Sequence, residues 1–495
     1  MIFKLKQLRY FFYLLAFFAF AFTSLDSFGY EDEFWSIDIV DEFSWASFDL
    51  IKEVDVHPPG AYVINWALIT VFKSWSLVRL WSSVFLIIGV VIFSERLVKR
   101  FGPGVFWVVL IFLLINPAFY LLCTGIRWYA YFVPLFLLGP WFTQHFNRKD
   151  WIYYFVWIAL LGYLNYLIFV IGIPLTLYFY LSDQRNLKEK TVDLFFGGLV
   201  FLLIYGIEIR NFYVYHLFDT SGQVGSIQAN ALSFFTFYFS NQGLFPLSVF
   251  GLLGALGFAL LMVYMVFNYQ RLNYVLILSL VAIWSLYFMG GVGVKARNFV
   301  AITGFFVLFI VHLFELKGRF RIFMFAAFGI IGISNLVGVW NVMSHEDSIK
   351  ANWNMPFKEI ISHADSIASR DSNVIILSHD PGISYTLMKK GHKVAGYYHL
   401  SKGLENINPS RILVYHTYYG GMMTQYRQEW DTLVDHLKVN QGGVKIFGDD
   451  KYADIKRKKD PQYPDYYCQF IDCLNPDSTW KSVLSWDNMS PTKVK

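Results

Sequence analysis

A few charged residues, set among long apolar runs, carry the chemistry this chain could do. The first are the acidic pair Asp32 and Glu33, followed by Phe34 and Trp35. They stand near the start of a polar stretch, residues 26–58, that also holds Glu31, Asp38, Asp41, Glu42, Asp49, Glu53 and Asp55. Most of these carboxylates read as solvated loop residues. Asp32 and Glu33 differ, because Phe34, Trp35, Ile37, Ile39, Val40, Phe43, Trp45 and Phe48 trace an amphipathic pattern behind them. A helix of that kind lies along a membrane interface. It would hold its leading carboxylates at the headgroup plane, where one of them could take the proton from an acceptor hydroxyl.

The second group is cationic. Arg127 lies in LLCTGIRWYAYFVPLF, with apolar residues on both sides. A charge inside a membrane segment costs about 2.5–3.5 kcal/mol on insertion scales and is a functional hypothesis by default; the competing reading is an arginine snorkelling to the interface. Lys295 and Arg297, in GGVGVKARNFVAI, make a second cationic point at a span boundary. Together these residues could bind an anionic headgroup, arginine being matched to phosphate by its two-pronged geometry. Tyr129, two positions after Arg127, is counted with them as a substrate contact. His57 precedes Pro58 and Pro59, which fix an extended approach to a following helix. It is either a further contact at interface depth or a structural hydrogen bond. Asn165 and Tyr166 read as helix-break packing, and Glu208 and Arg210 as a pair. No phosphate-binding glycine loop, metal-spaced His/Cys cluster or serine nucleophile elbow is present in the sequence. No metal ligand is assigned; a divalent metal stays open as a cofactor.

The elements that must position these residues follow from composition. Of 495 residues, 56% are hydrophobic, 20% aromatic and 16% charged, well under the quarter of charged residues usual in soluble domains. Residues 344–495 hold 19 Lys+Arg and 18 Asp+Glu, or 24%, against 12% for the first 343. One part is built for lipid and the other for water. The expected organisation is a transmembrane catalytic domain over 1–343 with an outer-face loop 26–58, a linker over 344–356, and a soluble α/β domain over 357–495. A net charge of +5 and the lack of a basic block interleaved with aromatics give no sign of a nucleic-acid partner.

Apolar stretches cover 10–25, 59–75, 77–94, 104–122, 128–145, 151–181, 191–209, 243–266, 272–290, 298–315 and 321–340. No small-residue cleavage motif follows the first, which reads as a retained span. Basic clusters lie around Lys4–Arg9, Arg96–Arg100, Arg148–Lys149, Arg185–Lys190, Arg271 and Lys317–Arg321. Setting all six inside requires 151–181 to be two short helices breaking near Asn165, and 59–75 not to span. About eleven transmembrane helices result, with the N-terminus inside and the C-terminal domain outside; a twelve-span competitor breaks the charge rule.

The order of motifs resembles a known family. Asp32-Glu33-Phe34-Trp35 after the first span, DVHPPGAYVINW, VRLWSSVFLIIGVV, GIRWYAYFVPLFLL, LLGYLNYLIFVIGIPL and VKARNFVAI together resemble the protein O-mannosyltransferase-like branch of the GT-C glycosyltransferases. Bacterial relatives of that branch include the aminoarabinose transferase that modifies lipid A. The resemblance runs over roughly residues 10–340 and implies a polyprenyl-phosphate-linked sugar donor and inverting transfer to an outer-face acceptor, be it glycan, lipid or protein. It implies Asp32 as the base with Glu33 beside it, and Arg127 and Arg297 on the donor phosphate. His57 occupies a position where the lipid A branch carries a lysine. The loop 210–241 is short, without the inserted domain of the eukaryotic protein mannosyltransferases, and this tilts the expected location to a bacterial inner membrane with the active site facing the periplasm.

Beyond the linker, NVIILSHD, HKVAGYYHL, RILVYHTYY and GGVKIFG read as strands, and PGISYTLMKKG and TQYRQEWDTLVDHLKV as helices, an α/β layer domain. Asp380-Pro381-Gly382 is either a ligand contact or a helix cap. Cys468 and Cys473 could close a small disulfide loop or stay as thiols. Two other functions fit the same residues: a transporter or flippase for a lipid-linked substrate, which would need alternating access, and an inactive lipid-binding scaffold.

Overall fold

The computed structural model describes residues 2–26, 33, 36–37, 39–40, 58–143, 146–183, 185–211, 300, 303–311, 329, 331–340, 357–371, 373–378, 380–395, 409–417, 441–447 and 468–474. The sequence-read spans 243–266 and 272–290, the helix at 424–439, and Asp32, His57, Lys295 and Arg297 lie outside those residues. The chain divides into two compact units: Met1–Ser27 with Val40–Ser344, and Phe28–Ile39 with His345–Lys495.

The first unit is helical. Helix α1 (Ile2–Asp26) and helix α3 (Trp75–Phe101) have 25 and 27 residues, about 37 and 40 Å, enough to cross a hydrocarbon layer of about 30 Å. They run antiparallel. Near one end Tyr13 donates to Ser94 Oγ at 2.7 Å and Arg9 pairs with Glu95 at 3.4 Å; near the other, Ser24 and Ser83 share a hydrogen bond of 2.5 Å. Lys99 and Arg100 close α3, where cations complement the helix dipole, and Gly102 then takes φ +92°, a conformation that side-chain-bearing residues avoid.

Helix α2 (Gly60–Phe72) has 13 residues, about 20 Å, and stops at Lys73 in the left-handed region, φ 54°. Gly60 lies against the Tyr163 carbonyl, where a Cβ would clash, and Phe72 meets Trp81 with ring centroids 6.2 Å apart. It therefore reaches from the end of one helix to the start of another and stays at the Ser24 end of the unit. Helix α4 (Pro103–Leu114) breaks at Asn116-Pro117. The break frees backbone groups that lipid cannot satisfy. Asn116 takes the Ala118 amide at 3.0 Å and donates to Phe112 O at 3.2 Å, and Tyr120 donates to Leu114 O at 2.8 Å. Helix α5 (Tyr129–Leu137) contains Pro134 and packs so closely on α3 that a Cβ on Gly89 would lie 2.7 Å from Pro134 Cβ.

Helices α6 (Arg148–Leu164) and α7 (Leu167–Ser182) are separated at Asn165, whose backbone is extended at φ −161°, ψ 136°. Helix α8 (Leu187–Asn211) returns parallel to α6. Their starts are clamped by Asp193, which accepts from Arg148 and Arg185 at 2.9 Å each, and Arg185 also grips Asp183. Arg96 donates to Leu138 O at 3.4 Å and Tyr153 to the same carbonyl at 3.3 Å. The basic clusters at Arg9, Arg96, Arg148 and Arg185 thus share one end of the unit. Helix α9 (Thr303–Val311) and helix α10 (Ile331–Trp340) complete the described elements, with Asn335 donating to Ile111 O in α4 at 2.7 Å. By length and composition, three described helices can cross a membrane: Lys6–Leu25, Trp75–Phe101 and Leu187–Asn211.

The second unit is built on a five-stranded sheet, order β2-β1-β3-β5-β4. Strand β1 (Val374–Ser378) is buried throughout and pairs in parallel with β2 (Lys393–Ala395) and β3 (Arg411–Thr417). Strand β5 (Cys468–Leu474) runs antiparallel between β3 and β4 (Gln441–Phe447). Helices α11 (Phe357–Ala368) and α12 (Pro381–Lys389) cover one face, burying Ile360, Ala364, Ile383 and Leu387 against Ile376, Leu413 and Tyr415. Asp380 caps α12, accepting from the Ile383 amide at 3.1 Å. The disulfide alternative fails. Cys468 and Cys473 sit at opposite ends of β5, both buried as free thiols. Five residues of strand separate them by about 17 Å, far beyond disulfide reach.

Candidate functional site

Arg127 is 5% exposed, on the short connection between a wide helical turn (Phe119–Cys123) and α5. Such turns recur at functional positions. Two neutral ties hold the connection. Ser24, at the end of α1, donates to Thr124 O at 3.2 Å, and its partner Ser83 on α3 donates to Phe20 O at 3.2 Å. Asn65, fully buried on α2, donates to Ile126 O at 2.6 Å and accepts from the Tyr131 hydroxyl on α5. Helices α1 and α2 therefore hold the peptides just before Arg127, with α3 and α5 bonding the side chains that do so. Tyr129 is 1% exposed, its ring centroid 3.9 Å from that of Trp128, so it packs the base of the connection.

Arg79 is a second buried cation, also 5% exposed, on α3 one turn before Ser83. Ser83, one turn after Arg79, and Thr124, three residues before Arg127, both bond the Ser24 hydroxyl, so the two arginines stand on backbone segments joined at that hydroxyl. A guanidinium stays charged at any working pH. Two of them at one end of an apolar bundle make a site suited to a phosphate whose tail belongs in lipid.

Beside α2, at the same end, stands a buried carboxylate. Glu208 is 2% exposed and accepts from Asn211 at 3.3 Å and Tyr166 at 3.5 Å. Tyr163 donates to Ile204 O at 2.7 Å and meets Tyr205 edge-on at 5.0 Å. The pairing of Glu208 with Arg210 read from the sequence is corrected: Tyr166 and Asn211 hold Glu208, and Arg210 is exposed.

Glu33 belongs to the second unit, not to the unit of Arg127. It is helical and 1% exposed, with Ser36 and Ile37 at 2%. The buried positions here thus include a carboxylate and a serine as well as Ile37. Among the described residues, Arg127 and Tyr129 come together, and no group of three or more His, Cys, Asp or Glu converges as a metal site. Sequence reasoning passed over Arg79 and Asn65. Arg79 gives the same signal as Arg127, a cation in an apolar run, while Asn65 gives none.

The first unit is thus a helical bundle with three described helices long and apolar enough to cross a membrane, and with Arg79 and Arg127 buried near the Ser24–Ser83 joint. Two solved structures share the fold. ArnT from Cupriavidus metallidurans bound to undecaprenyl phosphate matches with a TM-score of 0.55 at 10% identity, over 94% of this chain and 98% of that one. The same protein in the apo state matches at 0.55 and 11% identity, over 93% and 97%. At such identities the likeness is one of fold. No protein-family model and no curated protein matches the sequence.

Proposed function

We propose that this chain is a membrane glycosyltransferase that moves a sugar from a polyprenyl-phosphate donor to a hydroxyl of an outer-face acceptor, with inversion. The observation that carries the reading is Arg127, buried beside peptides held by α1 and α2 in a fold shared with an ArnT bound to undecaprenyl phosphate. The guanidinium of Arg127, with Arg79 near it and Arg297 by the family resemblance, holds the donor phosphate. As the glycosidic C–O bond breaks, charge grows on the phosphate oxygen, and fixed cations stabilise it. Asp32 takes the proton of the attacking acceptor hydroxyl, and the new C–O bond forms on the opposite face of the sugar, which accounts for inversion in one displacement.

The wider reading is an O-mannosyltransferase-like chain of about eleven spans. The basic end faces the cytoplasm, and the arginine end and the C-terminal α/β unit face the periplasm of a bacterial inner membrane. The test is incubation of the purified protein with a panel of polyprenyl-phosphate sugars, with mass spectrometry for released lipid phosphate. Sugar-selective release that vanishes in Asp32→Asn is expected. Donor binding without release, in the presence of crude envelope acceptors, overturns the enzyme reading in favour of a flippase or scaffold.

A further inference from the structure

Glu208 is a buried carboxylate to which the donor-phosphate reading gives no role. Its depth follows along α8. Fifteen positions separate it from Asp193, which clamps the basic end, or about 22 Å of helix axis. That is short of the roughly 30 Å of a hydrocarbon layer. The neighbouring hairpin has the same reach. Helices α6 and α7 run antiparallel, Tyr154 donating to Gly172 O at 3.1 Å and sharing a hydrogen bond of 2.7 Å with Thr176. With 17 and 16 residues they extend about 25 Å before the turn at Asn165-Tyr166. An ionisable group at such a depth is costly to insert and marks a functional position by default.

Two segments aim the carboxylate. One oxygen accepts from Asn211, on the last turn of α8, at 3.3 Å, and the other accepts from the Tyr166 hydroxyl, on the hairpin turn, at 3.5 Å. Tyr205, one turn earlier on α8, meets Tyr163 edge-on at 5.0 Å. Glu208 is 2% exposed, whereas Tyr163, Asn165 and Tyr166 are half-buried, so the turn keeps an open side. Helix α2 relates this cluster to Arg127. Gly60 lies against the Tyr163 carbonyl, and Asn65, five positions on or about 7.5 Å along the axis, donates to Ile126 O.

From this arrangement we infer that Glu208, aimed by Tyr166 and Asn211, bonds the hydroxyls of a sugar ring and determines sugar specificity. A carboxylate accepts about four hydrogen bonds, and side-chain amides and phenols offer both donors and acceptors. These are the groups that match ring hydroxyls, while tyrosine faces cover the apolar side of a ring. A site built to bond a hydroxyl discriminates strongly against a ligand lacking it, because its own buried groups are then left unmatched. The ring is that of the donor or of the acceptor, both of which present the same hydroxyl chemistry. The inference rests on the reading of Arg127 as the donor-phosphate contact, and the experiment separates the two.

Full-length protein in detergent is titrated with undecaprenyl phosphate and with a panel of undecaprenyl-phosphate hexoses and pentoses. Turnover is then followed against an envelope glycolipid extract. Glu208→Gln should bind the bare lipid within about twofold of wild type, at near-wild-type Tm, since no sugar is present to be recognised. If the donor ring is the ligand, affinity for the preferred sugar lipid falls by about 10- to 100-fold, the worth of a hydrogen bond to a charged group. If the acceptor ring is the ligand, sugar-lipid affinity holds and the KM for the extract rises by the same factor at unchanged kcat. Tyr166→Phe should lose less, in the same arm. Equal losses on bare and sugar-loaded lipid, with a lowered Tm, would make Glu208 a tie between helices and overturn the inference. Should Glu208→Gln fail to fold, Tyr166→Phe decides: a sugar-selective loss supports the inference, and none overturns it. Wild-type behaviour of both variants in both arms, with Arg127→Ala impaired on the bare lipid, overturns this inference alone. Wild-type bare-lipid affinity in Arg127→Ala would instead sink the donor-phosphate reading, and this inference with it.

Discussion

Asn65 offers the sharpest test of how Arg127 is held. Its amide gives one hydrogen bond to Ile126 O, 2.6 Å, and takes one from the Tyr131 hydroxyl, and the side chain is completely buried. Asn65→Leu keeps the volume and removes both. Each buried group left without its partner costs about 1–3 kcal/mol, so the local arrangement loses about 2–6 kcal/mol. The cheapest relief is for the Ile126 peptide to turn away from α2, carrying Arg127 with it. If half of the cost is relieved that way, donor binding weakens by about 1–3 kcal/mol, or roughly 5- to 150-fold. The assay is titration of undecaprenyl phosphate into detergent-solubilised protein, beside a thermal unfolding curve. Tyr131→Phe should lose less, and the double variant should be no worse than Asn65→Leu, because both act on one node. Wild-type affinity in a folded Asn65→Leu, with Arg127→Ala still impaired, would show that α2 does not position the arginine.

Three further outcomes are expected. Arg127→Lys keeps the charge but not the planar fork, so lipid-phosphate affinity should drop by about tenfold or more at near-wild-type Tm; equal affinity would reduce Arg127 to packing. Gly89→Ala sets a methyl 2.7 Å from Pro134 Cβ, and the overpacking should cost about 1–3 kcal/mol; an unchanged thermal midpoint would mean that the α3–α5 contact has slack. In the second unit, the Lys390 ammonium and then the His392 ring beside Asp365 hold its carboxyl down at about 2. Because the folded value lies below the unfolded one of about 4, the contribution is full above pH 4 and is lost as pH falls toward 2. After solvent screening of this partly exposed pair it is roughly 1 kcal/mol. Asp365→Asn should remove that contribution at pH 7 and flatten the acid limb of the unfolding curve, and an unaltered acid limb would show that the pair adds nothing.

Much of this arrangement is legible in the sequence because its causes are local. The apolar runs of α1, α3 and α8 mark helices long enough to span, and the basic residues beside them gather at one end of the unit. Pro58-Pro59-Gly60 and Lys73 bound a helix too short to cross, and Asn165 separates α6 from α7. The strands β1 and β3 announce themselves as continuous apolar runs. Other features are tertiary. Strand β5 was hidden because Cys-Gln-Phe-Ile-Asp-Cys-Leu has weak strand character, and its pairing with β3 and β4 alone makes it a strand. Helical Ile37, Ile39 and Val40 follow the amphipathic pattern, but the burial of Glu33 and Ser36 was hidden because amphipathic reasoning counts apolar side chains. Asn65 is one amide in an apolar helix, and only the position of Ile126 gives it a role.

The two ends of the membrane unit are held by different chemistry, and the difference bears on function. At the basic end, arginines bond to carboxylates of the same chain: Arg9 to Glu95, Arg148 to Asp193, Arg185 to Asp183 and Asp193. Those cations are committed to joining helices. At the other end the joints around the Arg127 connection are hydroxyls and an amide: Ser24 with Ser83 and the Thr124 carbonyl, and Asn65 with Tyr131 and the Ile126 carbonyl. In lipid the hydrophobic effect does not drive helices together, and such polar ties help to set their register. Neutral ties fix the backbone beside Arg127 without a carboxylate in those bonds, so holding the peptide and carrying positive charge fall to different side chains. That separation suits the lipid-phosphate site proposed above, and on that proposal Asn65, with no charge of its own, should control donor affinity.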